Sequence, residues 1–146
     1  MESIDLTRFL DAQNQVYLRA MEEIKNGRKT THWMWFIFPQ LAGLGHSDTA
    51  KFYAIKDLPE AIAYLKHPVL GKNLIAISAA LLLHENKTAG DIFGSPDDMK
   101  LRSSITLFAH VDNTDPIFGE VILKYFGGVF DPLTLSLLDN NNAFLI

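Results

Sequence analysis

The chain has 146 residues, of which 48% are hydrophobic and 21% are charged, and it contains no cysteine. This length and composition favour one globular domain with a sizeable core over a disordered tail or a coiled coil. Without cysteine the chain can form no disulfide, thiol nucleophile or cysteine-based zinc or iron–sulfur site. A reducing, cytoplasmic location fits this composition.

The formal net charge is −4, from 17 acidic and 13 basic residues. Acids and bases balance over residues 1–111, whereas residues 112–146 hold five acids and only Lys124. No domain-wide positive field therefore favours duplex nucleic acid. The uncharged stretch Thr31–Ser47 is interrupted by Pro39, Gly43 and Gly45, so no membrane helix is predicted. The N-terminus lacks the apolar segment of a signal peptide.

The N-terminal region has a helical repeat of apolar residues. From Leu6 and Phe9 onward they recur at steps of three and four, which is the amphipathic stripe of a helix. Ser3 or Asp5 can cap its start, and Gly27 can end it in the left-handed conformation. One helix is predicted from about residue 5 to residue 26.

Later helices are predicted from capping residues. Ser95-Pro96, Asp115-Pro116 and Asp131-Pro132 each place a capping side chain before a proline that suits the first helical position. Asp57 with Glu60 resembles a capping box, and Ser47 can cap a short helix. Helices are thereby predicted near residues 31–38, 48–53, 58–66, 69–85, 96–110, 116–126 and 132–139.

No segment alternates apolar and polar residues in the manner of a strand. The predicted fold class is all-α: a single compact orthogonal helical domain of about seven to nine helices, without a sheet, over residues 1–146. The apolar end Ala143–Ile146 predicts a terminus that packs on the domain.

The segment His32–Gln40 contains both tryptophans and is apolar all round. One interpretation is a central helix buried on every side. The other is that Trp33 or Trp35 lines a ligand pocket in which His32 and Gln40 are the hydrogen-bonding groups. Ligand sites are mostly apolar with a few polar groups.

The second segment of interest is polar and begins at Ser95. A well-capped helix start explains Ser95, Asp97 and Asp98, with Asp98 placed to return a bond to the cap. It does not explain Lys100, Arg102, Ser103 and Ser104, which are polar residues in an otherwise apolar helix. These residues are therefore candidates for a polar site.

Arg28 and Lys29 precede the aromatic segment. They are typical of a solvated loop. Alternatively, they form a cationic rim beside the aromatic segment that binds a phosphate or carboxylate. The five histidines lack the spacing that puts two ligands on one helical face, so no metal site is predicted. The chain has no Walker loop, Rossmann fingerprint or nucleophile elbow, and no cofactor is predicted.

These motifs resemble a bacterial family of unknown function. The matching runs are His32-Trp33-Met34-Trp35, Phe38-Pro39-Gln40 and Ile92–Asp98 with Lys100 and Ser103-Ser104. They are similar to the domain-of-unknown-function family eighteen-ten, sometimes mislabelled calpastatin, although Ile105 stands where methionine is usual. The resemblance covers nearly the whole chain. It implies an all-helical single domain and no established activity.

The family motifs fall on polar residues that a core does not require. They are His32, Gln40, Asp97, Asp98, Lys100 and Ser103, with Gln13 from the first helix. The small helical format is also similar to a helical family that processes ADP-ribose and related nucleotides, which is an analogy of fold alone. We therefore expect the two segments to meet across one cleft.

Three functions fit these features. The favoured one is binding of a small anionic, nucleotide-like ligand in that cleft, and its predicted contacts are Gln13, Arg28, Lys29, Trp33, Trp35, Gln40, Ser95, Asp97 and Ser103. The second is a hydrolase for an ADP-ribose-type ligand, in which His32 or Asp98 is the acid–base group and Lys100 stabilises charge. The third is a protein-interaction module that contacts its partner through the acidic C-terminal quarter and keeps both tryptophans in the core.

Overall fold

The computed structural model describes residues 4–143, with side chains described over residues 4–140. Within this range it contains ten helices and no strand, which confirms the all-α class. The predicted cap Ser3 and the packing of the Ala143–Ile146 terminus lie outside the described residues. The helices are α1 (Thr7–Asn14), α2 (Tyr17–Asn26), α3 (Met34–Ile37), α4 (Asp48–Tyr53), α5 (Leu58–Lys66), α6 (Leu70–Leu81), α7 (Ala89–Phe93), α8 (Asp97–Ala109), α9 (Ile117–Phe126) and α10 (Pro132–Ala143).

The single N-terminal helix predicted over residues 5–26 is wrong, because the chain breaks at Gln15 and Val16. The two halves pack against different partners, α1 on α3 and α2 on α6, so one straight helix could not serve both. Asp5 accepts a hydrogen bond from the Thr7 N–H (2.9 Å) just before α1. Gly27 ends α2 with φ of 81°, as predicted.

Most of the predicted capping residues are confirmed. Ser47 accepts from the Ala50 N–H, and Asp57 accepts from the Glu60 N–H. Asp115 and Asp131 likewise accept from backbone N–H groups two and three residues on.

Two expectations about the helix starts around α7 and α8 need correction. Ser95 does not cap α8: Pro96 holds the cap position, no side chain makes a cap hydrogen bond there, and the helix begins at Asp97, one residue later than predicted. Asp98 consequently returns no bond to a Ser95 cap. The ten described helices also exceed the expected seven to nine, because the N-terminal helix is divided into α1 and α2 and because α7 is an additional helix with a capping box between Thr88 and Asp91.

Helix α8 lies at the centre of the fold. It packs against α5, α7, α9 and α10, and every residue from Ser103 to Phe108 is buried. Phe108 stacks between Tyr64 of α5 and Phe118 of α9, with ring centroids 5.3 and 6.0 Å away. The first turn of α8 reaches the surface, where Met99 is 47% exposed. The start of α8 is thus a rigid platform on the surface.

A short backbone clamp holds the loop that follows α3. The Ala42 N–H donates to the Ile55 carbonyl, and the Ile55 N–H donates to the Gln40 carbonyl, each at 2.8 Å. This isolated parallel bridge between Leu41 and Ile55 fixes the backbone at Gln40 before the chain turns into α4.

At Gly71 the helix α6 approaches the backbone of α5 closely. A Cβ at this position would fall well inside van der Waals contact with the Leu65 carbonyl, which is backbone and cannot rotate away. We therefore expect Gly71→Ala to lower the free energy of unfolding by about 1–3 kcal/mol, despite the better helix propensity of alanine. Urea denaturation measures this loss.

The matched control for this substitution is Gly119→Ala. A Cβ at Gly119 of α9 meets no atom within 4 Å, so this variant should gain about 0.4–1 kcal/mol. Equal stability of the two variants would show that α5 and α6 do not approach as closely as described.

None of the described helices combines the length and the hydropathy needed to cross a bilayer.

Candidate functional site

The two tryptophans of the aromatic segment have different environments. Trp33 is fully buried, and its indole N–H donates to Glu23 (3.0 Å). Trp35 is half-buried beside His32, with 6.5 Å between ring centroids. Only Trp35 therefore presents aromatic surface to a ligand.

Glu23 is a buried carboxylate that organises the loop before Trp33. It accepts hydrogen bonds from the Thr30 N–H (2.7 Å), the Thr31 N–H (3.0 Å) and the Thr31 hydroxyl (2.5 Å), in addition to the indole. Burial alone would raise the pKa of Glu23, but these four donors outweigh it and lower the pKa to about 2. A buried indole requires an acceptor, yet the sequence does not single out Glu23 among its neighbours.

A three-residue ionic cluster joins the loop before the aromatic segment to the start of α8. Lys29 Nζ lies 2.9 Å from Asp97 Oδ2, and Lys100 Nζ lies 3.6 Å from Asp97 Oδ1. Each ammonium also lies over an indole ring, Lys29 at 5.1 Å from Trp33 and Lys100 at 5.8 Å from Trp35. Two cations share one carboxylate, so the cluster keeps one positive charge.

A cleft of about 490 Å³ opens between the loop after α3, the start of α8 and the start of α10. The segment His32–Gln40 and the segment that begins at Ser95 were expected to meet across one cleft. They meet here, because Gln40 of the first and Lys100 and Ser103 of the second line the same cleft. The wall is completed by Leu44, Gly45, His46, Ser47, Ala50, Pro96, Met99, Asp131 and Leu133.

The far wall of the cleft is held to α8 by side chains of α8 itself. Arg102 donates to the Val129 carbonyl (2.9 Å) and the Phe130 carbonyl (3.0 Å), which fixes the turn before α10. Ser103 Oγ lies 3.2 Å from Asp131 Oδ2. These bonds bring Asp131 to the cleft although it is 28 residues further along the chain.

Other predicted contact residues lie outside the lining of this cleft. Gln13 is buried and donates to the Phe36 carbonyl (2.7 Å) and the Tyr64 hydroxyl (2.9 Å). Arg28 is exposed and lines a different hollow together with Lys87 and Asp91.

Two predicted acid–base groups are also placed away from the lining. Asp98 points toward α7, since its Oδ2 would lie 3.8 Å from a Cβ at Gly90. His32 is exposed beside Trp35, and Ser95 is exposed in the turn before α8.

Three polar residues of the cleft were not candidates from sequence: His46, Ser47 and Asp131. Ser47 and Asp131 were recognised only as helix caps, and a cap signal does not reveal what else the side chain faces. His46 stands next to a Gly-Leu-Gly turn, which marks a loop and not a site. Among the described side chains, no three acids or histidines lie close enough to hold a metal ion.

Comparison with known proteins identifies relatives over nearly the whole chain. Residues 3–138 match the family model described as "Protein of unknown function (DUF1810)". The chain is 46% identical to the conserved hypothetical protein Rv1873 from Mycobacterium tuberculosis. Its crystal structure superposes with a TM-score of 0.90, covering 92% of this chain and 96% of that one. No curated protein matches the chain.

Proposed function

Since this chain belongs to the DUF1810 family, a family of proteins of unknown function, we propose a function from the cleft that it carries. The cleft binds a small anionic, nucleotide-like ligand between the His32–Gln40 segment and the start of α8. Its volume of about 490 Å³ is of the size that accepts small-molecule ligands.

The observation that carries this proposal is the charge of Lys100. Asp97 lies closer to Lys29 than to Lys100, and the Lys29 side chain is only 8% exposed. The Lys100 side chain is 30% exposed and lines the cleft, so its ammonium can accept an anion. Gln40 and Ser103 supply neutral hydrogen-bonding groups on the same wall.

Trp35 supports the nucleotide-like character of the ligand. Trp35 lies outside the lining of the cleft, but its half-buried ring lies 5.8 Å from the Lys100 ammonium, which does line it. A flat heteroaromatic base stacks on such a ring, while an attached phosphate reaches the ammonium.

The two alternative functions receive less support. The acid–base groups assigned to a hydrolase, His32 and Asp98, do not line the cleft. The interaction module required both tryptophans in the core, whereas Trp35 is half-buried. Binding without turnover is therefore the function we favour.

A Lys100→Gln variant tests the proposal. We expect ADP, ADP-ribose or ribose 5-phosphate to raise the Tm of the wild-type protein at millimolar concentration. The variant should bind about tenfold or more weakly, since it lacks the charged hydrogen bond. Isothermal titration calorimetry gives the affinities.

Lys124→Gln is the matched control, because Lys124 also lies 5.8 Å from an aromatic ring, that of Tyr125, but outside the cleft. Equal affinities of the two variants would overturn the proposal, and so would a Tm that none of the anions changes.

A further inference from the structure

We infer that Asp131 recognises a hydroxyl group of the ligand, so that the ligand class is an anionic sugar such as a sugar phosphate. This inference rests on the proposed function, because it concerns the same cleft.

The two oxygens of the Asp131 carboxylate have different surroundings. Oδ2 accepts from the Thr134 N–H (3.0 Å) and the Thr134 hydroxyl (2.6 Å), and it lies 3.2 Å from the Ser103 hydroxyl. No described residue donates a hydrogen bond to Oδ1. The carboxylate is thus fixed through one oxygen while the other keeps its accepting capacity.

Capping of α10 does not account for this arrangement. A cap needs one oxygen and normally sits in solvent, as Ser47, Thr88 and Asp115 do. Asp131 is instead only 8% exposed, and the surface that it retains faces the cleft. Among the described side chains, the fully buried oxygens without a partner are those of Ser78 and Ser104, so Oδ1 keeps accessible surface and can accept a hydrogen bond from a ligand in the cleft.

The spacing of Asp131 and Lys100 suits a ligand with two different polar ends. Lys100 and Ser103 are three residues apart on α8, which places their Cβ atoms about 5–6 Å apart. Ser103 in turn touches Asp131. A sugar phosphate spans such a distance, with its phosphate at the ammonium and a ring hydroxyl at the carboxylate.

A hydroxyl satisfies Oδ1 without adding a charge to the cleft. An ammonium would gain from the carboxylate charge, but it would also lie within a helical turn of the Lys100 ammonium, which repels it. A hydroxyl that donates to a carboxylate forms a charge-assisted hydrogen bond without this repulsion. Phosphoethanolamine as a probe distinguishes the two donors.

Asp131→Asn separates recognition from capping. The amide oxygen can occupy the position of Oδ2, where the three hydroxyl and N–H groups lie, and asparagine is as good a cap as aspartate. The amide nitrogen then replaces Oδ1, so the ligand hydroxyl loses its charged acceptor and can only accept a weaker, neutral hydrogen bond from the amide. Asp57→Asn is the matched control, because Asp57 also caps a helix through the N–H three residues on, but outside the cleft.

The probes are ribose 5-phosphate, inorganic phosphate and phosphoethanolamine, measured by isothermal titration calorimetry. We expect the wild-type protein to bind ribose 5-phosphate more tightly than phosphate. Asp131→Asn should weaken ribose 5-phosphate about tenfold or more and leave phosphate unchanged, and Asp57→Asn should change neither.

Other outcomes overturn the inference in distinguishable ways. If ribose 5-phosphate binds through Lys100 but Asp131→Asn has no effect, the hydroxyl contact is wrong and the proposed function stands. If only phosphoethanolamine depends on Asp131, the residue recognises an ammonium group. If no probe binds, the proposed function and this inference both fail.

Discussion

Replacing Glu23 by alanine is expected to lower the free energy of unfolding by about 3–5 kcal/mol. The carboxylate accepts from two N–H groups, a hydroxyl and the Trp33 indole. Its removal leaves donors without an acceptor, among them the fully buried indole. Urea denaturation near neutral pH measures the loss.

Glu23→Gln keeps the shape of the side chain and one acceptor oxygen, so we expect a smaller loss than in Glu23→Ala. A Glu23→Ala protein as stable as the wild type would show that the four hydrogen bonds do not hold the loop.

The same residue should make stability depend on acidity. The pKa of Glu23 is about 2 in the folded protein, against 4.5 for the ordinary carboxyl. The stabilisation that its ionised form supplies is therefore complete above pH 4.5 and is lost as the pH falls toward 2. It amounts to about 3 kcal/mol. Glu23→Gln should lack this part of the acid dependence.

The contribution of Glu23 is the difference in the free energy of unfolding between the wild-type protein and Glu23→Gln at each pH. The pKa values of Asp5 and Asp91 are also lowered, by hydrogen bonds from Thr7 and Thr88 respectively. These carboxyls titrate in both proteins, so their contribution cancels. Parallel curves for the two proteins between pH 5 and pH 2 would contradict the assignment.

Trp33→Ala is expected to destabilise the protein by about 3–5 kcal/mol. The ring is fully buried, and it packs edge-on against Phe93 at 6.2 Å and beside Phe38 at 6.3 Å. Truncation removes these contacts and leaves a cavity. It also takes away one donor to Glu23. The free energy of unfolding in urea is again the measurement.

Trp35→Ala is the comparison for this variant. Because Trp35 is half-buried, its truncation removes less apolar surface from the core and should cost well under the loss in Trp33→Ala. We expect Trp35→Ala to weaken ligand binding instead, through loss of the stacking surface. Equal destabilisation by the two truncations would show that Trp35 is also a core residue.

Helix starts could be predicted because they follow a local rule. Asp57 and Ser47 each bond to an N–H three residues on, and this pattern is visible in the printed sequence. The break at Val16 could not be predicted in the same way. The apolar stripe runs through it without interruption, and the break is imposed by partners distant along the chain.

The candidate site was predictable in part. Gln40, Lys100 and Ser103 attract attention as polar residues among apolar ones, and the structure places all three at one cleft. Asp131 could be recognised only as a cap, since its proximity to Ser103 depends on how α8 meets α10. Nor could the pattern of residues 32–40 separate Trp33 from Trp35, because which of them is covered depends on Glu23 and Phe93.

The hydrogen bonds of Arg102 have a consequence for affinity. Helix α8 provides Lys100 and Ser103 directly, and through Arg102 it also holds the turn that carries Asp131. The polar groups of the cleft are therefore set at their mutual spacing before any ligand arrives. A ligand that matches this spacing loses little free energy to ordering the protein, and one that does not match cannot draw the groups toward itself. The buried half of α8 thus preorganises the polar groups of the proposed ligand cleft.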